Sequence, residues 1–298
     1  MKICILTHTF PKYEGDTAAP FMAGVAEGIA LAGNDVFVLT PYSLGFKNSL
    51  NKKYKLITYK YIFPNFLHKL GYSKTLNNDM KIKPLVYLLS PFLYIFGILA
   101  LWKLVKKEKI DVINAHWILP NGFMASVVSF FTGVPVVSTL PGSDVYMARK
   151  NFFFRLMATF AVNTSKIITS NSYQLIEDLS KICNKKYKWK IIVYGVDPVK
   201  FRPIKKDFSL KKQLGIDKDK IVILGVGRLV DKKGFKYLIE AAPSVLKNNK
   251  EIIFILVGDG DQKLHLEKLT KKLKVDSYFK FVGTINYDKL VDYYNFCD

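Results

Sequence analysis

Residues 221–242, IVILGVGRLVDKKGFKYLIEAA, change period halfway along, and that change restricts the fold more than any other stretch of the chain. Up to Val226 the run is short, apolar and rich in Val and Ile, with glycines at 225 and 227, as in a strand buried inside a parallel sheet. After Gly234 the apolar residues Phe235, Leu238, Ile239, Ala242, Val245 and Leu246 recur at helical spacing. The pattern predicts a strand, a turn and a helix packed back on the strand. That is the repeating unit of a doubly wound α/β sheet.

The turn carries Arg228, Lys232 and Lys233 where a strand's carboxyl end meets a helix's amino end. Free N–H groups and the helix dipole favour anions there, and the cations add to them. Any one lysine reads most simply as part of a solvated basic loop. Glycines that admit a ligand to the strand's end, flanked by cations, point instead to a phosphate or diphosphate. A dinucleotide fingerprint would need glycine at 230, where the chain has Val230, and no Gly-Lys-Ser/Thr of a P-loop is present.

With 298 residues, half of them apolar, two domains of ordinary size are expected. The amino end reads as strand 2–7, loop 9–20, helix 21–32 closed by Gly33, and strand 35–40, the start of a doubly wound sheet. Further strands are expected at 111–115, 134–139, 166–170 and 190–194. His116 and Trp117 follow the first of these, at the carboxyl edge where open α/β sheets bind ligands; a histidine hydrogen-bonded inside a turn is the plainer reading of His116. Residues 197–204, bracketed by Pro198 and Pro203, read as a linker between a domain of residues 1–196 and one of 205–298. The second domain adds strands at 252–257 and 278–282 and helices near 262–273 and 286–294. The close aspartates 217/219 and 259/261 belong to a strand approach and a tight turn rather than to a metal site.

The net charge is +21, yet only four of the 45 basic residues are arginines. Sequence-reading nucleic-acid binders lean on arginine, so the balance argues against them and towards diffuse attraction to anionic lipid or simply a biased genome. Between residues 47 and 107 lysines greatly outnumber acids, and inside that region residues 85–102 carry no charge at all. Three readings fit this segment: a crossover helix buried on the sheet, a helix lying in a membrane interface, and a membrane span. Strands before and after it that belong to one sheet favour the first. Cys4, Cys183 and Cys297 are too scattered for a disulfide framework or zinc site, which suits a reducing cytoplasm. The apolar run at the amino end is too short for a signal peptide.

GVGRLVDKKGFKYLIEA resembles the donor-phosphate segment of the retaining GT-B glycosyltransferases of family 4, also called group 1. DVINAHWILPNG is similar to a signature on that family's acceptor side, and YGVDPVKFRP to its interdomain linker. LPGSDVY matches a His-Gly-Ser-Asp motif except that Pro141 replaces the histidine, so that its role passes to His116 or Asp144 or is dispensable in this subgroup. The resemblance implies a GT-B fold, two Rossmann-like domains with a cleft between them, the second incomplete. It implies a UDP- or GDP-sugar donor, a glycan or lipid-linked hydroxyl acceptor, retention of configuration and no metal or other cofactor. Arg228 and Lys233 would hold the leaving diphosphate. Gly15, Asp16, Gly227, Gly258 and Gly283 would approach the donor, though the family more often has paired glycines where Gly15 and Asp16 stand. His116, Trp117, Gly142, Ser143 and Asp144 would line the acceptor side. The family continues past residue 298 with a pair of donor-binding glutamates, so a truncated product is expected. The alternative is a non-catalytic, basic, membrane-adherent module that binds nucleotide. Either way the place expected is the cytoplasm, peripheral to the membrane's inner face, with no nucleic-acid partner.

Overall fold

A computed structural model describes residues 1–46, 53–71, 76–77, 81–82, 84–183, 186–204 and 209–298. It divides into two units, Met1–Thr75 with Ile82–Val196, and Leu76–Lys81 with Asp197–Asp298.

The first unit is built on β1 (Lys2–Leu6), β2 (Asp35–Pro41) and β3 (Lys55–Tyr59), with α1 (Pro20–Leu31) between β1 and β2. Two short strands, β4 (Leu76–Asn77) and β5 (Lys81–Ile82), pair with each other, and of these Leu76–Lys81 are assigned to the second unit; α2 (Pro84–Glu108) continues the first. Then follow β6 (Val112–His116), α3 (Phe123–Thr132), β7 (Val136–Leu140), α4 (Ser143–Lys150), α5 (Phe152–Thr164), β8 (Ile167–Ser170), α6 (Tyr173–Cys183) and β9 (Trp189–Ile191). Seven strands form one parallel sheet in the order β3-β2-β1-β6-β7-β8-β9. The chain builds outwards from β1 in both directions, so the order reverses between β1 and β6. Leu6 stands opposite Ala115, which brings the segments leaving β1 and β6 together at that reversal. Edge strand β3 has no counterpart in the sequence reading, because its KLITY run lies among lysines and aromatics that mask the alternation.

Alternate residues of the strands enter different cores. Leu6, Phe37 and Leu39 join a cluster with Leu93, Leu101 and Met124 of α2 and α3, whereas Ile5, Val36 and Val38 pack with Met22 and Ala26 of α1. Helix α2 makes the crossover on the sheet that the first of the three readings expects. Its Leu89, Leu93, Leu101, Leu104 and Val105 are buried in the sheet's core, and β3 and β6 on either side of it belong to the same sheet. A Cβ on Gly97 would lie 2.5 Å from Met124 Sδ and 3.0 Å from Tyr59 Oη, which shows how closely the helix seats. Its opposite face is equally apolar and exposed, with Leu88, Ile95 and Leu99 all more than half accessible.

The second unit holds α7 (Ser209–Gln213), β10 (Ile221–Val226), α8 (Phe235–Asn248), β11 (Ile252–Val257), α9 (Lys263–Lys272), β12 (Phe279–Gly283) and α10 (Leu290–Phe296). Its three strands are parallel, in the order β10-β11-β12. All six residues of β11 are buried, and they alternate: Ile252, Phe254 and Leu256 pack with α8 and α9, Ile253, Ile255 and Val257 with Tyr293 and Phe296 of α10. Helix α8 runs as its spacing predicts, burying Ile239, Ala242 and Leu246, but Val245 is 36% exposed and does not belong to that face.

Residues 197–204, read as a linker, instead pack with the second unit. Ile204 N donates to Asn295 Oδ1 (2.9 Å), Phe201 meets the Tyr287 ring at 5.3 Å, and Lys200 pairs with Asp288. The boundary therefore falls at Val196–Asp197.

Candidate functional site

In the second unit the carboxyl ends of all three strands are knitted by backbone. Gly227 N donates to Val257 O (2.9 Å), Gly258 N to Gly283 O (2.8 Å), and Leu229 N to Asp259 O (2.9 Å). Gly227, Gly258 and Gly283 thus line one edge. A Cβ on Gly258 would lie 1.9 Å from Gly227 O, and the residue's φ is +135°, so both space and conformation demand glycine. Arg228, Lys232 and Lys233 are exposed on the turn that leaves this edge, and Asp231–Lys233 forms a single 3-10 turn before α8. Helix α8 starts at Phe235, and the residue in its N-cap position, Gly234, has no side chain to cap it. An uncapped helix amino end beside cations and close-packed glycine backbone is a site for an anion.

A cavity of about 90 Å³, lined by residues including Val230, Phe235 and His265, is touched by neither Arg228 nor Lys233. It is far below the ~300–1,000 Å³ of small-molecule pockets.

In the first unit the sheet's reversal point carries a buried polar cluster. His116, the last residue of β6, is 2% exposed, and its Nδ1 lies 2.7 Å from Tyr194 Oη, with the rings stacked at 5.8 Å. Burial pulls its pKa from 6.5 down to about 3, so the ring is neutral. Its Nε2 is buried without a hydrogen-bond partner among the described residues. Trp117 has a positive φ of 70° and meets the His8 ring at 4.5 Å. Asn121 is fully buried; its amide donates to His116 O (2.6 Å) and lies 3.0 Å from Nδ1 of His8, whose pKa burial lowers to about 4. The sequence reading placed His116 and Trp117 here but missed His8, Asn121 and Tyr194. The signal available was positional: polar residues just past two strands that become neighbours only in the folded sheet.

The remaining expected residues fall as follows. Gly15 takes a positive φ of 79° in the loop after β1. Asp16 is buried, and its carboxylate accepts from Lys12 N (2.9 Å) and Ala18 N (3.1 Å). It braces its own loop. Gly142 sits at the amino end of α4, and the side chains of Ser143 and Asp144 lie outside the described residues. A cavity of about 300 Å³ in this unit is lined by Lys2, Asp35 and Lys55, the first residues of their strands, on the edge opposite to the cluster.

The sequence profile described as "Glycosyl transferase 4-like" matches residues 13–172, more than half of the chain, and "Glycosyl transferases group 1" matches residues 206–298. The chain belongs to the family 4-like, group 1 glycosyltransferases. Among this glycosyltransferase's relatives, the Escherichia coli UDP-Gal:alpha-D-GlcNAc-diphosphoundecaprenol alpha-1,3-galactosyltransferase is 32% identical over 55% of this chain and 44% of its own length. The alpha-monoglucosyldiacylglycerol synthase of Acholeplasma laidlawii is 27% identical over 65% of this chain and 53% of its own. A glycosyltransferase of Methanocaldococcus jannaschii is 26% identical over 100% of this chain and 73% of its own. The chain thus spans about half the length of the first and the second of these. The crystal structure of Anabaena HepE with UDP-glucose superposes with a TM-score of 0.69 at 18% identity, covering 100% of this chain and 72% of that one. The glycosyltransferase therefore has the GT-B fold, with a Rossmann-like parallel sheet in each unit.

Proposed function

We propose that this chain transfers a sugar from a UDP- or GDP-sugar to a hydroxyl of a lipid-linked or glycan acceptor, with retention of configuration. The observation that carries the proposal is the anion corner of the second unit: Arg228 and Lys233 on the turn between the β10 edge and the uncapped start of α8, beside the glycines at 227, 258 and 283. Negative charge builds on the diphosphate as the glycosidic bond breaks. A guanidinium and an ammonium fixed beside it offset that charge, each contributing about 3 kcal/mol in the transition state. With these cations in the role, no metal is required. The first unit holds the acceptor, with Trp117 beside the His8–Asn121–His116 cluster that sets its backbone. Named relatives that act on diphosphoundecaprenol-linked and diacylglycerol substrates support a lipid-linked acceptor. The net charge of +21 accords with a place on the cytoplasmic face of an anionic membrane.

The test is nucleotide release by the full chain with a panel of UDP- and GDP-sugars, with and without a chelator, beside titration calorimetry with UDP and GDP. Arg228→Ala is expected to lower turnover a hundredfold or more while leaving the melting temperature unchanged. Normal turnover by Arg228→Ala defeats the assignment, and so does inhibition by the chelator for its metal-independent part.

A further inference from the structure

The outward face of α2 is the largest feature that the donor and acceptor sites leave unexplained. Single apolar residues on a protein surface are ordinary, but a contiguous patch marks a contact. Here Leu88, Phe92, Ile95, Leu99 and Trp102 are all exposed and recur every three or four positions, which places them on one line along the helix. That line is about 20 Å long at the helical rise per residue. Helix α3 widens it: Phe130 and Phe131 are 72% and 61% exposed, and Phe131 stacks on Trp102 at 5.6 Å. Lys103 and Lys106 lie one turn beyond Leu99 and Trp102 on the same line, and Lys107 and Lys109 are exposed beside them. The single acid in that turn is Glu108, which is half-buried.

We infer that this face seats the first unit on an anionic lipid bilayer, α2 lying in the plane of the interface with Leu88, Phe92, Ile95 and Leu99 among the acyl chains. The arrangement of an apolar stripe, an aromatic at its border and lysines beyond is what an interface presents in reverse: hydrocarbon, then headgroup, then phosphate charge. A second copy of the chain would also cover the stripe. It would, however, bring two chains of net charge +21 together with their lysines at the seam, where an anionic surface neutralises the same charge. The inference gives a location to the membrane partner of the proposed function and rests on that reading for its purpose, while the binding itself involves neither donor nor acceptor.

The full chain is to be floated with vesicles of equal parts phosphatidylglycerol and phosphatidylcholine, and with phosphatidylcholine alone, at low and high salt. Binding to the mixed vesicles at low salt is expected to exceed that to the neutral ones about tenfold. The triple variant L88Q/I95Q/L99Q should lose binding at least about tenfold, and K103Q/K106Q/K107Q should lose its anionic preference. Arg228→Ala should bind as the parent does, so failure of the transfer reading and failure of this one are separable. Trp102 emission should shift to the blue on vesicle addition and the shift should vanish in Trp102→Phe, a readout that needs no destabilising change. Absence of low-salt binding, a triple variant that binds undiminished, or an unmoved Trp102 spectrum overturns the inference. So does a stable dimer that the triple variant dissociates, which would assign the face to a second copy.

Discussion

Asn121 Nδ2 and the carbonyl of His116 are 2.6 Å apart, and the same amide reaches His8 Nδ1 at 3.0 Å. One side chain therefore ties the end of β6 to the segment leaving β1, at the point where the strand order reverses. An amide nitrogen can only donate, so His8 Nδ1 accepts and its proton sits on Nε2. A neutral ring there agrees with the lowered pKa of about 4.

Asn121→Ala should leave the His116 carbonyl without this donor in a buried setting. The expected cost is about 1–3 kcal/mol, read as a lower urea midpoint with an unchanged slope. An unchanged midpoint would mean that the cluster contributes nothing to the fold.

Acid should weaken the first unit through the same cluster. The unfolded chain takes up a proton on His116 near pH 6.5, whereas the native ring stays neutral down to about pH 3. Below pH 6.5 the unfolded state thus binds more protons, so stability is complete above that pH and falls as pH drops towards 3. At pH 5 the loss from His116 is on the order of 2 kcal/mol, and His8 adds to it in the same direction. Urea unfolding at pH 7 and pH 5 checks this, with His116→Gln expected to flatten the dependence.

Gly258→Ala places a methyl group against the Gly227 carbonyl at a positive φ. The two strand ends must separate, at a cost of about 2 kcal/mol or more. UDP affinity should fall with stability, since the displaced backbone is the edge that carries Arg228 and Lys233. A variant of parental stability that binds UDP normally would remove Gly258 from the corner.

The two faces of α2 should answer differently to the same truncation. Leu93 is buried in the sheet's core and Leu99 is exposed. Leu93→Ala is expected to cost about 2–5 kcal/mol and Leu99→Ala within about 0.5 kcal/mol, measured by thermal or urea unfolding. Equal costs would show that both faces are covered in solution.

The strand, turn and helix of residues 221–242 were legible because the apolar period switches there and two glycines punctuate the switch. The glycines at 258 and 283 came from resemblance, and only the backbone contacts between strand ends explain why they stand together. His8 and Asn121 were not legible. They meet because β1 pairs with β6 across more than a hundred residues of chain, and no local pattern encodes that pairing. The loop contacts of Asp16 were not legible, because a loop carboxylate looks the same in sequence whether its oxygens face a ligand or its own loop's amides. In α2 apolar residues occupy both faces, so the sequence lacks the contrast that would say which side meets the sheet.

β11 acts as a party wall, with neighbouring positions opening into separate rooms. A substitution at Ile255 should be answered by changes around Phe296, and one at Leu256 by changes around Ile239, so repairs to damage in this strand should be sought on a different helix at each successive step.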